Sequence, residues 1–319
     1  MRRKVVQRCL PTVGWGFMLL GILFCQGPGS GVRAAEINVD SEGLGLNVEL
    51  PQTEFLLQEP LLVTVRVINM RPYPVVIPAH LGTDMGLIKY EISDLATGEK
   101  VGYKPTCYIW FDWGGYRGTE IQPGGSYSHQ EDLGFTATAR EGTYSVEAFY
   151  EWHDARFDVP LVRSSVAGVF KVRAPTGVDA EAFRLLQKIN GYGGSVWSLR
   201  PEYLGIYDQV LRDYPGSRYA KWAEVWMALY WTCREGRRDE AIAAWRRVLT
   251  DYPPFGYTGF ALLQLMDIYY GNIEFHRKQR DLEAARRVAL EILGSPLVAD
   301  NHKERARYFL EDLEAGRLK

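Results

Sequence analysis

The fold class predicted from these 319 residues is a multidomain β + α chain, an antiparallel β-sandwich followed by an α-helical hairpin repeat. Three observations carry it. From Leu44 to Arg173 apolar residues recur at period two, which puts one face of each strand on a core and the other toward water. Beyond Arg173-Ala174-Pro175-Thr176-Gly177-Val178 the period becomes 3.6. Within that second half a phrase occurs twice: Val210-Leu211 runs into Asp213-Tyr214-Pro215, and Val248-Leu249 into Asp251-Tyr252-Pro253, 38 residues later. Recurrence at such a period marks stacked two-helix units.

The first element, residues 1–35, reads as a secretory signal. Arg2, Arg3, Lys4 and Arg8 form a basic start, Gly14 to Phe24 is apolar, and Val32-Arg33-Ala34 offers small residues for cleavage after Ala34 or Ala35. The apolar stretch falls short of the ~20 residues a membrane span needs. Cys25 supports a rival reading, a lipid-modified N-terminus, although bulky Phe24 precedes it; an uncut signal anchor is the third. An exported chain without a transmembrane segment, periplasmic or extracellular, is the expectation. Removing residues 1–34 shifts the formal charge from −2 to −7. Such a chain is a poor nucleic-acid ligand, because that affinity rests on phosphate neutralisation by Lys and Arg. The charge is uneven: residues 35–174 carry −8 and residues 175–319 carry +1.

Residues 36–174 form the predicted sandwich. Leu61, Val63, Val65 and Val67 alternate with Leu62, Thr64, Arg66 and Ile68, and Tyr144, Val146, Ala148 and Tyr150 with Thr143, Ser145 and Glu147. Turn signals such as Pro72-Tyr73-Pro74, Thr97-Gly98, Pro123-Gly124-Gly125 and Glu141-Gly142 separate the runs. Strands are expected near 44–50, 61–70, 74–78, 87–93, 106–112, 126–133, 143–152 and 166–173. Gly142-Thr143-Tyr144-Ser145-Val146 resembles the start of the penultimate strand of immunoglobulin-like domains. The resemblance implies that Tyr144 closes a corner back onto the backbone. The inter-sheet disulfide of antibody domains has no counterpart, since Cys107 stands alone in this half. Cys107 and Cys233 read either as two buried thiols or as a bridge between the halves.

Cys107 to Arg117 is densely aromatic. Trp113 and Tyr116, beside Asp112 and Arg117, suit stacking on a sugar ring or gripping a peptide, since aromatics and Arg are enriched at binding hot spots. The competing reading makes Tyr108, Trp110 and Trp113 a core strand.

Residues 175–319 form the helical part. Asp179 is placed to cap the first helix, on whose face Phe183, Leu186 and Ile189 lie; Pro201 can open the next. Helices are expected near 201–213, 217–235, 238–251, 257–274, 280–293 and 300–315. The unit from Trp222 to Pro253 resembles a tetratricopeptide repeat: Gly236 turns the chain, small Ala241 lets the paired helix approach, Trp245 fills the space beneath, and Pro253 stops the second helix. Tyr207 and Pro215 precede it in corresponding places, and Ala284, Val288 and Pro296 follow at a 43-residue period. The first helices depart from the family pattern, carrying Val225, Ala228 and Leu229 where Trp, Leu and Gly belong. The resemblance implies a binding surface for a protein or peptide. Tyr219, Trp222, Trp226 and Tyr230 form a stripe that reads mainly as core. Arg234, Arg237, Arg238, Arg246 and Arg247 form a basic cluster that suits either solvated helix ends or docking to an acidic partner, including the acidic first half.

No reaction is indicated. His80, His129, His153, His276 and His302 lie at no metal-ligand spacing, and neither a Gly-x-Ser-x-Gly elbow nor a phosphate-cradling loop occurs. The chain is therefore expected to have no catalytic residues, cofactor or metal. Its expected role is protein or peptide binding in the cell envelope, the alternative being a carbohydrate-binding or protease-inhibiting sandwich on a helical scaffold.

Overall fold

The computed structural model describes residues 43–78, 81, 88–103, 118–152, 159–163, 167–189, 200–234, 236–252, 256–271 and 279–318. Strands come first: β1 (Leu44–Glu49), β2 (Glu54–Leu56), β3 (Leu62–Asn69), β4 (Val75–Pro78), β5 (Ile88–Asp94), β6 (Lys100–Val101), β7 (Gly118–Ile121), β8 (Ser126–Asp132), β9 (Gly142–Trp152), β10 (Val159–Arg163) and β11 (Gly168–Arg173). Among the described residues seven helices follow: α1 (Val178–Leu186), α2 (Pro201–Asp213), α3 (Ala220–Thr232), α4 (Arg238–Asp251), α5 (Thr258–Tyr270), α6 (Leu282–Gly294) and α7 (Asp300–Glu314). The β-then-α order matches the expectation; the strand foreseen at 106–112 lies outside the described residues.

Among the described residues β1-β3-β8 form one sheet, β2-β11-β9-β5-β6 with β10 on β9 a second, and β4-β7 a pair. Inward side chains of both larger sheets, including Leu46, Val65, Ile92, Val146 and Phe170, meet in one apolar cluster. The pairing departs from a wholly antiparallel scheme at one place. β2 runs parallel to β11, aligning Phe55 with Val172. With three residues, β2 is too short to show a period in the sequence.

The alternation in β3 fails at Leu62 for a physical reason. Leu61, Val63, Val65 and Val67 are buried as expected, but Leu62, on the opposite face, is buried too. It belongs, with Leu56 and Phe135, to the apolar cluster that contains Trp222, Trp226 and Phe260 of the helices. The Phe135 and Trp226 rings stack with centroids 5.7 Å apart. Residues Ala35–Lys319 thus form one compact unit in which strands and helices share a core.

Each helix packs on the next along the chain, and α5 also touches α7. The repeated phrase has a structural counterpart. Val210 and Val248 are buried, and the residues closing α2 and α4, Tyr214 and Tyr252, adopt nearly one backbone conformation (φ −134°, ψ 49° and φ −128°, ψ 47°). Gly236 (φ 72°) and Gly271 (φ 74°) turn the chain after α3 and α5 in the left-handed region that favours glycine. Asp179 does not cap α1, whose preceding Gly177 offers no side chain. Its Oδ1 instead accepts from the Arg218 amide at 2.7 Å, tying α1 to the approach to α3.

α7 finishes the fold by covering a strand edge. The amide of Ser128 donates to Asp300 Oδ2 at 2.8 Å, and Asn301 meets both the N–H and the C=O of Gln130, at 3.3 and 3.4 Å, much as a neighbouring strand would. The Ser128 hydroxyl accepts from the Asp300 amide at 2.9 Å, capping α7 from another element. One close approach holds α7 to α5: a Cβ at Gly259 would lie 2.3 Å from Nδ1 of buried His302. Gly259→Ala gains up to ~1 kcal/mol of helix propensity, but overpacking costs about 1–3 kcal/mol. The expected result is net destabilisation, read as a lower urea midpoint; a higher midpoint would show that His302 moves freely.

Candidate functional site

The binding candidates of the aromatic segment, Trp113, Tyr116 and Arg117, lie outside the described residues, as does Pro253. The strand that follows them is described: β7 pairs with β4, aligning Gly118 with Pro78 and Glu120 with Val76. Val76 and nearby Tyr73 are exposed apolar side chains beside that pair.

The five-arginine cluster is not one patch. Arg247 turns to Glu224 of α3 at 2.8 Å and Arg246 to Glu291 of α6 at 3.7 Å. Burial raises the Glu224 carboxyl, and the hydrogen bond from Arg247 pulls it back down. Arg234, Arg237 and Arg238 stay at the α3–α4 turn, over the rings of Tyr230, Trp231 and Tyr269 at 4.5, 5.5 and 5.3 Å. Arg237 also pairs with Glu240 at 2.7 Å. The stripe Tyr219, Trp222, Trp226, Tyr230 is buried.

Two basic residues of the helical half that lie outside this cluster, Arg218 and Lys221, reach the acidic half. Their target, Glu59, is fully buried in the turn after β2. Gln58 takes a left-handed conformation (φ 59°), and the turn closes when the Leu56 amide donates to Glu59 Oε2 at 2.7 Å. Arg218 donates to both carboxylate oxygens, at 3.2 and 2.6 Å. The Trp222 indole donates at 3.4 Å, and the Lys221 ammonium lies 3.6 Å away. Burial pushes Lys221 below the ordinary lysine range, against the pull of Glu59. Beside them the Tyr219 hydroxyl donates to the Leu57 carbonyl at 2.6 Å, and burial raises its pKa. A second buried contact joins Tyr257 to Asp132. No sequence signal marks this junction: Glu59 is an isolated acid before Pro60, and its partners lie some 160 residues away.

The structural candidates can be placed directly. The Tyr144 hydroxyl donates back to the Arg140 carbonyl at 3.0 Å, four residues upstream. Ala241 and Trp245 are fully buried, and the Trp245 indole donates to Thr232 Oγ1 at 2.9 Å. Cys233 is a buried free thiol, pushed up to about 11 by desolvation. Among the described residues no group of three or more His, Cys, Asp or Glu could hold a metal ion, and no helix is long and apolar enough to cross a membrane.

No protein-family model matches the chain, and no curated protein matches it. Solved structures give loose likenesses. The C-terminal domain of wzt aligns over 43% of this chain and 77% of its own, at 10% identity and a TM-score of 0.27. A CARDB domain from Pyrococcus furiosus aligns over 41% and 95%, at 11% identity and a TM-score of 0.23. A sporulation control protein from Bacillus subtilis aligns over 46% and 55%, at 10% identity and a TM-score of 0.26. Likenesses of this size assign neither fold family nor function.

Proposed function

We propose that this chain is an exported, non-catalytic scaffold of the cell envelope that binds a protein or peptide through its helical part. On this reading the strands form an immunoglobulin-like sandwich, the helices form tetratricopeptide-like units, and the sandwich is a second module or spacer. The observation that carries the reading is the serial packing of α2 to α7, with α2 and α4 closed by the same phrase in the same conformation. Serially stacked helix pairs contact their neighbours and leave a continuous face for an extended ligand. The buried carboxylates support it as well. Glu59, Glu224 and Asp267 are each committed to an ion pair joining elements, with Arg218, Arg247 and Arg305 respectively.

The test is affinity capture from envelope extract with the whole mature chain, because cutting between strands and helices would bare Leu62 and Phe135. A second bait carries Trp113→Ala and Tyr116→Ala. The expected result is the same protein on both baits. Capture of nothing by either bait would overturn the scaffold reading; a glycan or protease lost from the second bait would install the aromatic segment as the site.

A further inference from the structure

The strands and the helices are joined by one short segment, and that joint holds a residue in a conformation suited to glycine alone. β11 ends at Arg173, whose carbonyl accepts from the Leu57 amide at 3.0 Å. The start of α1 is fixed by the Asp179 amide donating to the Thr176 carbonyl at 3.2 Å. Between these anchors Pro175 sets its own φ and biases Ala174 toward extended backbone. Within the joint only Gly177 has a positive φ, 55° with ψ −131°. That combination is nearly closed to a residue with a Cβ. A Cβ added there would still meet no atom within 4 Å, so glycine supplies backbone freedom and not space. The joint is accessible as well: Arg173, Ala174, Thr176, Gly177 and Val178 are exposed.

What the joint brings together is a self-contained junction. One apolar cluster is built from strand-half residues alone. The other is built from helices plus Leu56, Leu62 and Phe135 of the strand half. Polar contacts surround those three residues: Arg218 with Glu59, Tyr219 with the Leu57 carbonyl, Tyr257 with Asp132 and Asp300 with Ser128. Opening the joint would bare the apolar side chains and take from Glu59 and Asp132 the donors that reach them from the helices, a costly state in water. The surface that matches all of these groups at once is the same face on a second copy. Helices of one chain on strands of another repeat each junction unchanged, so the pair needs no new interface.

We propose that this chain dimerises by exchange: Gly177 extends, and the helical part of each copy docks on the strands of the other. The conformation at Gly177 sets the balance. Glycine tolerates the fold-back and keeps the single chain closed at low concentration. A residue that resists it favours the extended hinge, and an exchanged pair relieves two such hinges.

The experiment uses the full mature chain, unfolded in urea and refolded at high protein concentration, with size-exclusion chromatography and light scattering as the readout. Gly177→Ala is expected to raise the dimerisation constant about tenfold or more over wild type. Gly98→Ala is the control: it too places a Cβ at positive φ (72°) with nothing within 4 Å, but in the turn between β5 and β6, and it is expected to match wild type in dimer content. A Gly177→Ala chain with no more dimer than Gly98→Ala would overturn the proposal. The second arm refolds a Glu59→Met copy together with an Arg218→Met copy that carries a mass tag. Exchange between them makes one native Glu59–Arg218 junction and one Met–Met junction, whereas each copy alone keeps a broken pair. The expected result is a mixed dimer with a higher urea midpoint than either copy refolded by itself. A mixture that unfolds as its two separate components, with no mixed dimer, would overturn exchange even if Gly177→Ala self-associates. If Gly177→Ala does not fold, this second arm decides alone. None of these readouts involves an envelope partner, so the outcome is separate from that of the scaffold reading.

Discussion

Glu59→Ala is expected to cost about 3–5 kcal/mol of stability, the usual penalty for breaking a buried ion pair from one side. The substitution removes the acceptor for Arg218, the Leu56 amide and the Trp222 indole together. It also takes the Glu59 carboxylate away from Lys221, which burial already discourages from carrying charge. Arg218 is about one-third exposed and can recover some hydration, so the lower end of the range applies to its share. Arg218→Met is expected to cost a similar amount, because it strands a fully buried carboxylate. The double substitution Glu59→Met/Arg218→Met should cost clearly less than the sum, with a coupling of at least ~1 kcal/mol. Urea midpoints at constant slope measure all three. Additive losses would mean that the junction orients the two parts without holding them.

The second large effect is expected at Trp245. Its side chain is fully buried between helices, edge-on to Phe260 at 5.5 Å, with its indole on Thr232. Trp245→Ala should cost about 3–5 kcal/mol, combining lost burial with the cavity left behind. Trp245→Phe keeps most of the ring and loses the hydrogen bond, so about 1–2 kcal/mol is expected. Thr232 softens that loss, because its hydroxyl still donates to the Ala228 carbonyl. Far-UV circular dichroism during urea titration reports both. Similar midpoints for the two variants would show that the hydrogen bond, rather than the ring, holds α3 to α4.

What the sequence disclosed follows from where each interaction lives. Helices α2 to α7 were legible because their apolar spacing and their Gly and Pro stops are local signals. β3 was legible on one face only: Leu62 became a core residue because distant helices cover it, and a period-two pattern carries no information about a second layer. The same limit explains Asp179. As an acid in a first turn it suggests a cap, yet it accepts instead from the Arg218 amide, 39 residues away. The arginine cluster was visible as composition, but its division between ion pairs and ring faces depends on partners on α3, α5 and α6. Glu59 was invisible for the strongest form of this reason. Nothing within a turn of it announces the cations that meet it.

The contact between α7 and β8 has a consequence for the order of synthesis. β8 is translated early, but the residues that cover its edge, Asp300 and Asn301, leave the ribosome about 170 positions later. Throughout that interval the Ser128 and Gln130 backbone groups are open to pairing with any other strand, the situation in which nascent chains join edge to edge. A transcript cut short before codon 300 would therefore yield a product that keeps its strands and most of its helices yet carries a permanently uncovered edge. The last helix acts as a seal whose absence would be felt first as self-association of truncated chains.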